Sequence, residues 1–445
     1  MLPNNETIAA IASGQGRGGI GVIRISGAKA AIIARQLLGR IPKPRQAYFA
    51  DFPDEQGQLI DQGIILFFVA PHSYTGEDVL ELQGHGGTAV LQLLLQRCIS
   101  LGARLAEPGE FTKRAYLNNK LDLVQAEGVA DLIDATTTQA ARSAIRSLHG
   151  DFSAVVNGLV AELINLRMLV EAMLDFPEED IENLDVERCY IQLAQIKSQL
   201  KLTLETAKQG SLLREGVYVA LVGQPNVGKS SLLNRLSGEQ VALVSDVPGT
   251  TRDVIRKEIQ INGIPLHIMD TAGLRDSEDF IEKMGIALTY QTLQKADLIL
   301  ILSEANQPVD TQYLNIFDSL PTDIPKLQVF NKSDLLNQKK IDIKLGAGIS
   351  VSAKTGEGID KLRDKILEMI GWHSMESGVF MARERHLSAL KQAESRLNTA
   401  LEVIKLPEFF AEELRLAQLS LSNITGEFTA DDLLGEIFSR FCIGK

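Results

Sequence analysis

Residues 223 to 230, GQPNVGKS, place two glycines, a lysine and a serine in the pattern GxxxxGK[ST]. Between a strand and a helix, such a loop turns backbone N–H groups toward phosphate oxygens at a helix N-terminus, where the dipole favours anions. Gly223, Asn226, Val227, Gly228, Lys229, Ser230 and Ser231 would then surround the phosphates, with Lys229 on the β and γ oxygens and the Ser230 hydroxyl on magnesium. The flanks suit this, since Val217 to Val222 reads as a strand and Ser231 to Leu236 as a helix. Asp270, Thr271, Ala272 and Gly273 follow a second strand, Pro265 to Met269, offering a carboxylate to the water shell of magnesium and a glycine N–H to a γ-phosphate. Asn331, Lys332, Ser333 and Asp334 follow the strand Lys326 to Phe330. Asp334 can accept both N–H groups on the N1 and N2 edge of guanine, an edge that adenine does not present. Ser352, Ala353 and Lys354 bring backbone amides toward the guanine oxygen. Together these strings point to GTP.

Two positions set the site apart from a Ras-like one. Leu274 stands where a glutamine would orient the attacking water, and a leucine has no group to do so. Asn226 carries an oxygen that suits either a monovalent cation beside the phosphates or a turn within the loop. A cation there would offset the charge met elsewhere by an arginine finger.

These strings must be held by alternating strands and helices, and residues 216–372 have that pattern: a Ras-like α/β P-loop GTPase domain. Residues 1–118 are broken by glycine and proline into short strands (Val22 to Ile25, Gly63 to Val69, Asp78 to Gln83) and helices (Lys29 to Leu38, Thr88 to Ser100), a mixed α+β domain. Residues 119–215 and 373–445 read as helices. In the first of these Leu166, Leu169, Val170, Met173 and Leu174 form one stripe; in the second, Thr429 and Asp432 form a capping box. Helical sequence on both sides of an α/β unit predicts one bundle, built from two distant segments, into which the GTPase domain is inserted.

The chain has 445 residues, with 45 basic and 57 acidic side chains for a net charge of −12. That balance opposes nucleic-acid binding except through a local basic patch or a partner. Eight of the acids, with no base among them, lie between Glu171 and Glu187, so two-thirds of the excess sits in one segment around Pro177. The charge therefore excludes an RNA-directed role less firmly than the total suggests. Three cysteines, Cys98, Cys189 and Cys442, offer neither a disulfide framework nor zinc spacing and suit a reducing, cytoplasmic setting. No apolar run is long enough to predict a membrane span.

The strings GQPNVGKSSLLN, SDVPGTTRD, DTAGLR and NKSD resemble the TrmE/Era/EngA group of GTPases. GRGGIGVIRISG, SYTGEDVLELQGHGG, EPGEFTKRAYLNNKLDLVQAEGVADLI and the terminal FCIGK narrow the resemblance to the MnmE (TrmE) family of tRNA-modification GTPases, over essentially the whole chain. The resemblance implies an amino-terminal domain that binds tetrahydrofolate and forms a constitutive homodimer. It implies a GTP hydrolase that works with the FAD-dependent partner MnmG, in a heterotetramer. Together they would place a carboxymethylaminomethyl-type group on C5 of the wobble uridine (position 34) of certain tRNAs. The one-carbon donor would be a 5-formyl or 5,10-methylene tetrahydrofolate.

Carried over by motif, Arg24, Glu81, Lys120 and Lys445 would contact the folate. Asn226, Ser245, Val247 and Thr250 would bind potassium, and Ser230 and Thr251 magnesium. Ser245, Asp246, Val247, Pro248, Gly249, Thr250 and Thr251 would lie along the nucleotide. Glu282 would orient the hydrolytic water and act with Lys229 as catalytic residue.

Without the resemblance, Arg24 and Glu81 read as strand charges paired to each other, and Lys120 and Glu282 as solvated helix residues. Gly14, Gly16 and Gly19 spell GxGxxG, yet a strand follows rather than a helix, so a hairpin loop is predicted there. His85 between glycines reads as structural, and Cys442 either as a thiol active near the folate or as a buried small residue, and it is left outside the catalytic set. The competing function is a GTP-driven switch in ribosome assembly or at a membrane, without modification chemistry.

Overall fold

The computed structural model describes residues 6–14, 16–175, 183–223, 226–237, 255–270, 295–305, 324–336, 348–373, 378–426, 434, 437–439 and 441–444. The chain forms two compact units, the first from Met1–Ala130, Ser147–Ile196 and Gln392–Lys445, the second from Asp131–Arg146 and Lys197–Lys391.

The first unit contains a six-stranded sheet of β1 (Ile8–Ile11), β2 (Gly18–Ser26), β3 (Tyr48–Pro53), β4 (Leu59–Phe68), β5 (Val79–Gly86) and β6 (Arg104–Leu105), in the order β3-β4-β5-β2-β1-β6. All neighbours are antiparallel except β1 and β6. Along β4, Asp61, Gly63, Ile65 and Phe67 alternate inward, the period of a sheet with one covered face. Two helices pack on the sheet, α1 (Ala30–Leu38) and α2 (Thr88–Ser100). Helix α1 buries Ala30, Ile33, Ala34 and Leu37, spaced as one helical face, and ends on Gly39 with a φ of 70°. The glycine-rich segment after β1 leads into β2, as the hairpin reading predicts.

After α3 (Glu110–Leu117) come α4 (Leu123–Asp134), α5 (Thr138–His149), α6 (Asp151–Asp175) and α7 (Asn183–Glu215). By length and composition α6 would pass for a membrane span. Its Phe152, Val156, Leu159, Leu163, Leu166 and Val170 are buried, as in the core stripe of a globular helix.

The second unit holds a six-stranded sheet in the order β12-β11-β10-β7-β9-β8. Its strands are β7 (Val217–Gly223), β8 (Ile255–Ile261), β9 (Ile264–Asp270), β10 (Leu298–Glu304), β11 (Lys326–Asn331) and β12 (Ile349–Ser350), with only β8 antiparallel to its neighbour. Leu298 to Leu302 are all buried, the continuous apolar run of a central parallel strand. Helices α8 (Lys229–Ser237) and α9 (Ile359–Met369) follow β7 and β12.

The carboxyl-terminal helices are α10 (Glu384–Glu402) and α11 (Pro407–Thr425). Helix α11 packs on α6, from which Arg167 donates to Gln418 Oε1 at 2.7 Å, so helices from two distant segments meet within the first unit. The acidic segment around Pro177 and the capping box at Thr429 and Asp432 lie outside the described residues.

Candidate functional site

Strand β7 ends at Gly223 and α8 begins at Lys229, so the loop is strung between a buried strand and a helix N-terminus as its sequence predicts. Asn226 and Gly228 have φ values of 64° and 93°, the left-handed conformations that turn N–H groups into the loop. Lys229 is buried and donates from Nζ to the Gly223 carbonyl at 2.6 Å, which holds its ammonium over the loop. Ser230, Ser231 and Asn226 are exposed, their side chains open to a ligand or ion.

The end of β11 locks this loop to the base-recognition strings. Asn331, 2% exposed, donates from Nδ2 to the Val227 carbonyl at 2.9 Å and accepts from the Ala353 N–H at 3.0 Å. A Cβ on Gly228 would fall 2.4 Å from that Nδ2, so only glycine permits the approach. Ser352 donates to Asp334 Oδ1 at 2.6 Å, and this bond, with Lys354 and Lys332 nearby, holds the Asp334 carboxyl below the usual range. An ionised Asp334, exposed and oriented, is an acceptor ready for two N–H groups on one edge of a base. Lys332, in the left-handed region at φ 63°, pairs with Glu304, which lies opposite Asn331 in the β10–β11 register. The sequence reading missed Glu304, since only the sheet register brings it there. Ser333 is anchored by its N–H on the Val351 carbonyl at 3.1 Å.

Asp270 closes β9. Thr271, Ala272, Gly273, Ser245, Asp246, Val247, Pro248, Gly249, Thr250, Thr251, Glu282 and Lys445 lie outside the described residues.

In the first unit, Arg24 of β2 faces Glu81 of β5 in register, and its Nε donates to Glu81 Oε1 at 2.9 Å. The guanidinium also lies over the rings of Tyr74 and Phe111, at 5.3 and 5.9 Å from their centroids. Lys120 packs against the segment that carries Tyr74: its Nζ donates to the Pro71 carbonyl at 3.0 Å and its Cγ lies against Gly76. Arg24 and Lys120 thus both reach residues 71–77, with Glu81 joined to them through Arg24. The carboxyl-terminal residues run beside β1, with the Cys442 carbonyl accepting from the Gly109 N–H at 3.3 Å and Gly444 against the Ile11 carbonyl. Cys442 itself is exposed, which corrects the reading of it as a buried small residue: only its carbonyl is engaged, by the Gly109 N–H. His85 has a structural partner, its Nδ1 lying 2.7 Å from the buried Asp61.

An ion network underlies the Tyr74 segment. Glu110 receives Arg104 NH2 at 2.6 Å and Arg114 NH2 at 2.8 Å, and Arg114 continues to Glu77, which accepts from Ser26 at 2.7 Å. Burial alone would raise the Glu110 carboxyl, but the Arg104 fork, the Glu107 N–H and Arg114 outweigh it and hold it at about 2. Its folded value lies below its unfolded one. The stabilisation is therefore present above the unfolded value and is lost as pH falls toward 2. Glu110→Gln should cost about 3 kcal/mol at neutral pH. In urea unfolding its deficit against the parent chain should close as pH is lowered from about 5 toward 2; a deficit constant with pH would contradict the ionic account.

A family model described as the MnmE helical domain matches residues 123–442, and one described as the GTP-binding protein TrmE N-terminus matches residues 7–120. The tRNA modification GTPase MnmE of Nitrosospira multiformis is 57% identical over 452 residues, covering the whole of both chains. That of Chromobacterium violaceum is 55% identical, covering 99% of this chain and 98% of its own. The corresponding protein of Neisseria meningitidis serogroup A is 54% identical over the full length of both.

Proposed function

This chain belongs to the MnmE family of tRNA modification GTPases, and on that premise we propose that it uses GTP hydrolysis to drive a one-carbon-dependent modification at C5 of the wobble uridine. Guanine is selected by Asp334, and the phosphates are held by the loop Gly223 to Ser231 with Lys229. Ser230 and Thr251 would hold magnesium, with Asp270 serving its water shell. Asn226, Ser245, Val247 and Thr250 would hold potassium, which would supply positive charge to offset that of the phosphates. Asn226 fits that role, being exposed and turned by its left-handed backbone at the lip of the loop. With Leu274 unable to orient water, Glu282 does so.

The four-part organisation belongs to this reading: residues 1–118 bind folate and dimerise, 119–215 and 373–445 form the helical domain, and 216–372 the GTPase domain. The homodimer works in the cytoplasm with the FAD-dependent MnmG, as a heterotetramer, on tRNA.

The observation that carries the modification reading over a bare GTP switch is the Arg24–Glu81 pair, with the Arg24 guanidinium over two aromatic rings and Lys120 packed against the segment that carries Tyr74. The Glu81 carboxylate can accept an N–H edge and the partly exposed Tyr74 ring suits the flat face of a pterin, while Phe111, fully buried, serves the site only by packing Arg24; cationic groups suit the anionic tail. Titration of 5-formyltetrahydrofolate should show binding that Arg24→Ala weakens by about 10- to 100-fold, the worth of one charge-assisted bond, with GTP turnover retained. A parent chain that binds no folate would overturn the reading in favour of the switch.

A further inference from the structure

The hairpin of β8 and β9 lies in sequence between the string that ends at Thr251, assigned to magnesium and the nucleotide, and the string Asp270 to Gly273, assigned to magnesium and the γ-phosphate. Strand β8 starts at Ile255, just after Thr251, and β9 ends at Asp270. Its turn is Asn262 and Gly263, with φ values of 49° and 83°, the two left-handed residues of a tight hairpin whose flanks pair Ile261 with Ile264.

Within the second unit this turn is held by the segment that opens α5. The buried Thr137 hydroxyl donates to the Gly263 carbonyl at 2.8 Å while accepting from the Ala140 N–H at 3.1 Å. One hydroxyl therefore caps α5 and joins it to the hairpin. The Gln139 side chain covers Gly263, where a Cβ would fall 2.6 Å from its Oε1. Behind the turn, Ala140 and Ala144 share a core with Ile259, Ile261, Ile264 and Leu266. The segment is anchored at its other end as well, since Asp131 Oδ1 accepts from Arg214 at 2.9 Å and from Arg383 at 2.7 Å.

We propose that Thr137 is a positioning residue of the GTPase cycle: through Gly263 it makes α5 and the β8–β9 hairpin one body, so that exchange of GTP for GDP at the open end of the hairpin is passed to α5. A paired antiparallel ribbon transmits displacement of its ends to its turn, and packed elements respond by shifting between discrete arrangements. The proposal rests only on the GTPase part of the reading above.

Three substitutions separate the cap from the link. Thr137→Ser keeps both bonds. Thr137→Asp caps the helix as well as threonine does but has no proton to give Gly263. Gln139→Ala leaves the cap intact and removes the cover on the turn. The measurement is hydrogen exchange of the α5 amides in the full-length protein, with GDP and then with a non-hydrolysable GTP analogue. In the parent and in Thr137→Ser, α5 exchange should differ between the two nucleotides by about twofold or more. In Thr137→Asp, read where the variant remains folded, the difference should vanish, with a lowered unfolding midpoint because a carboxylate now faces the Gly263 carbonyl, and in Gln139→Ala it should shrink with the cap and its bond intact. Should Thr137→Asp not fold, Gln139→Ala decides alone. A parent α5 indifferent to the nucleotide, or a difference undiminished in folded Thr137→Asp and Gln139→Ala, would overturn the proposal. Since tRNA is not involved, a chain that modifies no tRNA but shows the exchange difference would refute the modification reading and leave this inference standing.

Discussion

Asp334→Asn is expected to lower the affinity for GTP by about 10²- to 10⁴-fold, the worth of two charge-assisted hydrogen bonds, and to create a preference for XTP. In the proposed site the carboxylate accepts two N–H groups from guanine. An asparagine presents one acceptor and one donor, matching xanthine, whose ring N–H is followed by an oxygen instead of an amine. The surroundings support a clean exchange. Ser352 already bonds one oxygen of Asp334, and Asn331 ties the base-recognition strings to the phosphate loop independently of it. Competition of GTP and XTP for the variant reads the result directly. Unchanged GTP affinity would mean that Asp334 does not meet the base.

The second large effect concerns the cation. GTP turnover in potassium is expected to exceed turnover in sodium by on the order of 10³-fold, the lower end of what an arginine finger contributes to such reactions. Asn226 is the residue through which this can be checked, because its left-handed φ of 64° gives it two possible reasons to be there. A turn requires only the backbone conformation, which glycine adopts more easily; an ion requires the side-chain oxygen. Asn226→Gly should therefore keep GTP binding and reduce the potassium rate to the sodium rate. Equal rates in the two salts for the parent chain would remove potassium from the account. A variant still activated by potassium would leave Asn226 with the turn alone.

The parts of the site that are contiguous in the chain were legible before the fold was known. The phosphate loop needs only a strand, a short turn and a helix within residues 217–237, and helix α2 occupies Thr88–Ser100, the span its apolar periodicity predicts. Some pairings made by sheet register were legible and some were not. Arg24 and Glu81, 57 residues apart, read as strand charges paired to each other, and the β2–β5 register joins them in that way. Glu304 ends a strand with nothing local to mark it, and becomes relevant because β10 and β11 run in parallel register. The hydroxyl of Thr137 looks from sequence like an ordinary helix cap. Its bond to Gly263 spans 126 residues and depends on a turn whose position follows from tertiary packing. Glu110 and Arg114 could have been found, since their i,i+4 spacing on a helix is that of an ion pair. The links from Arg114 to Glu77 and from Arg104 to Glu110 could not.

The account joins a guanine-specific GTPase to a folate-like site in one chain and gives both a single purpose. Nucleoside analysis of tRNA from cells that lack this protein tests that purpose most directly. The account expects the C5 substituent of the wobble uridine to disappear, and to return when the intact chain is supplied but not when Arg24→Ala is. A C5 substituent unchanged in cells without the protein would contradict it.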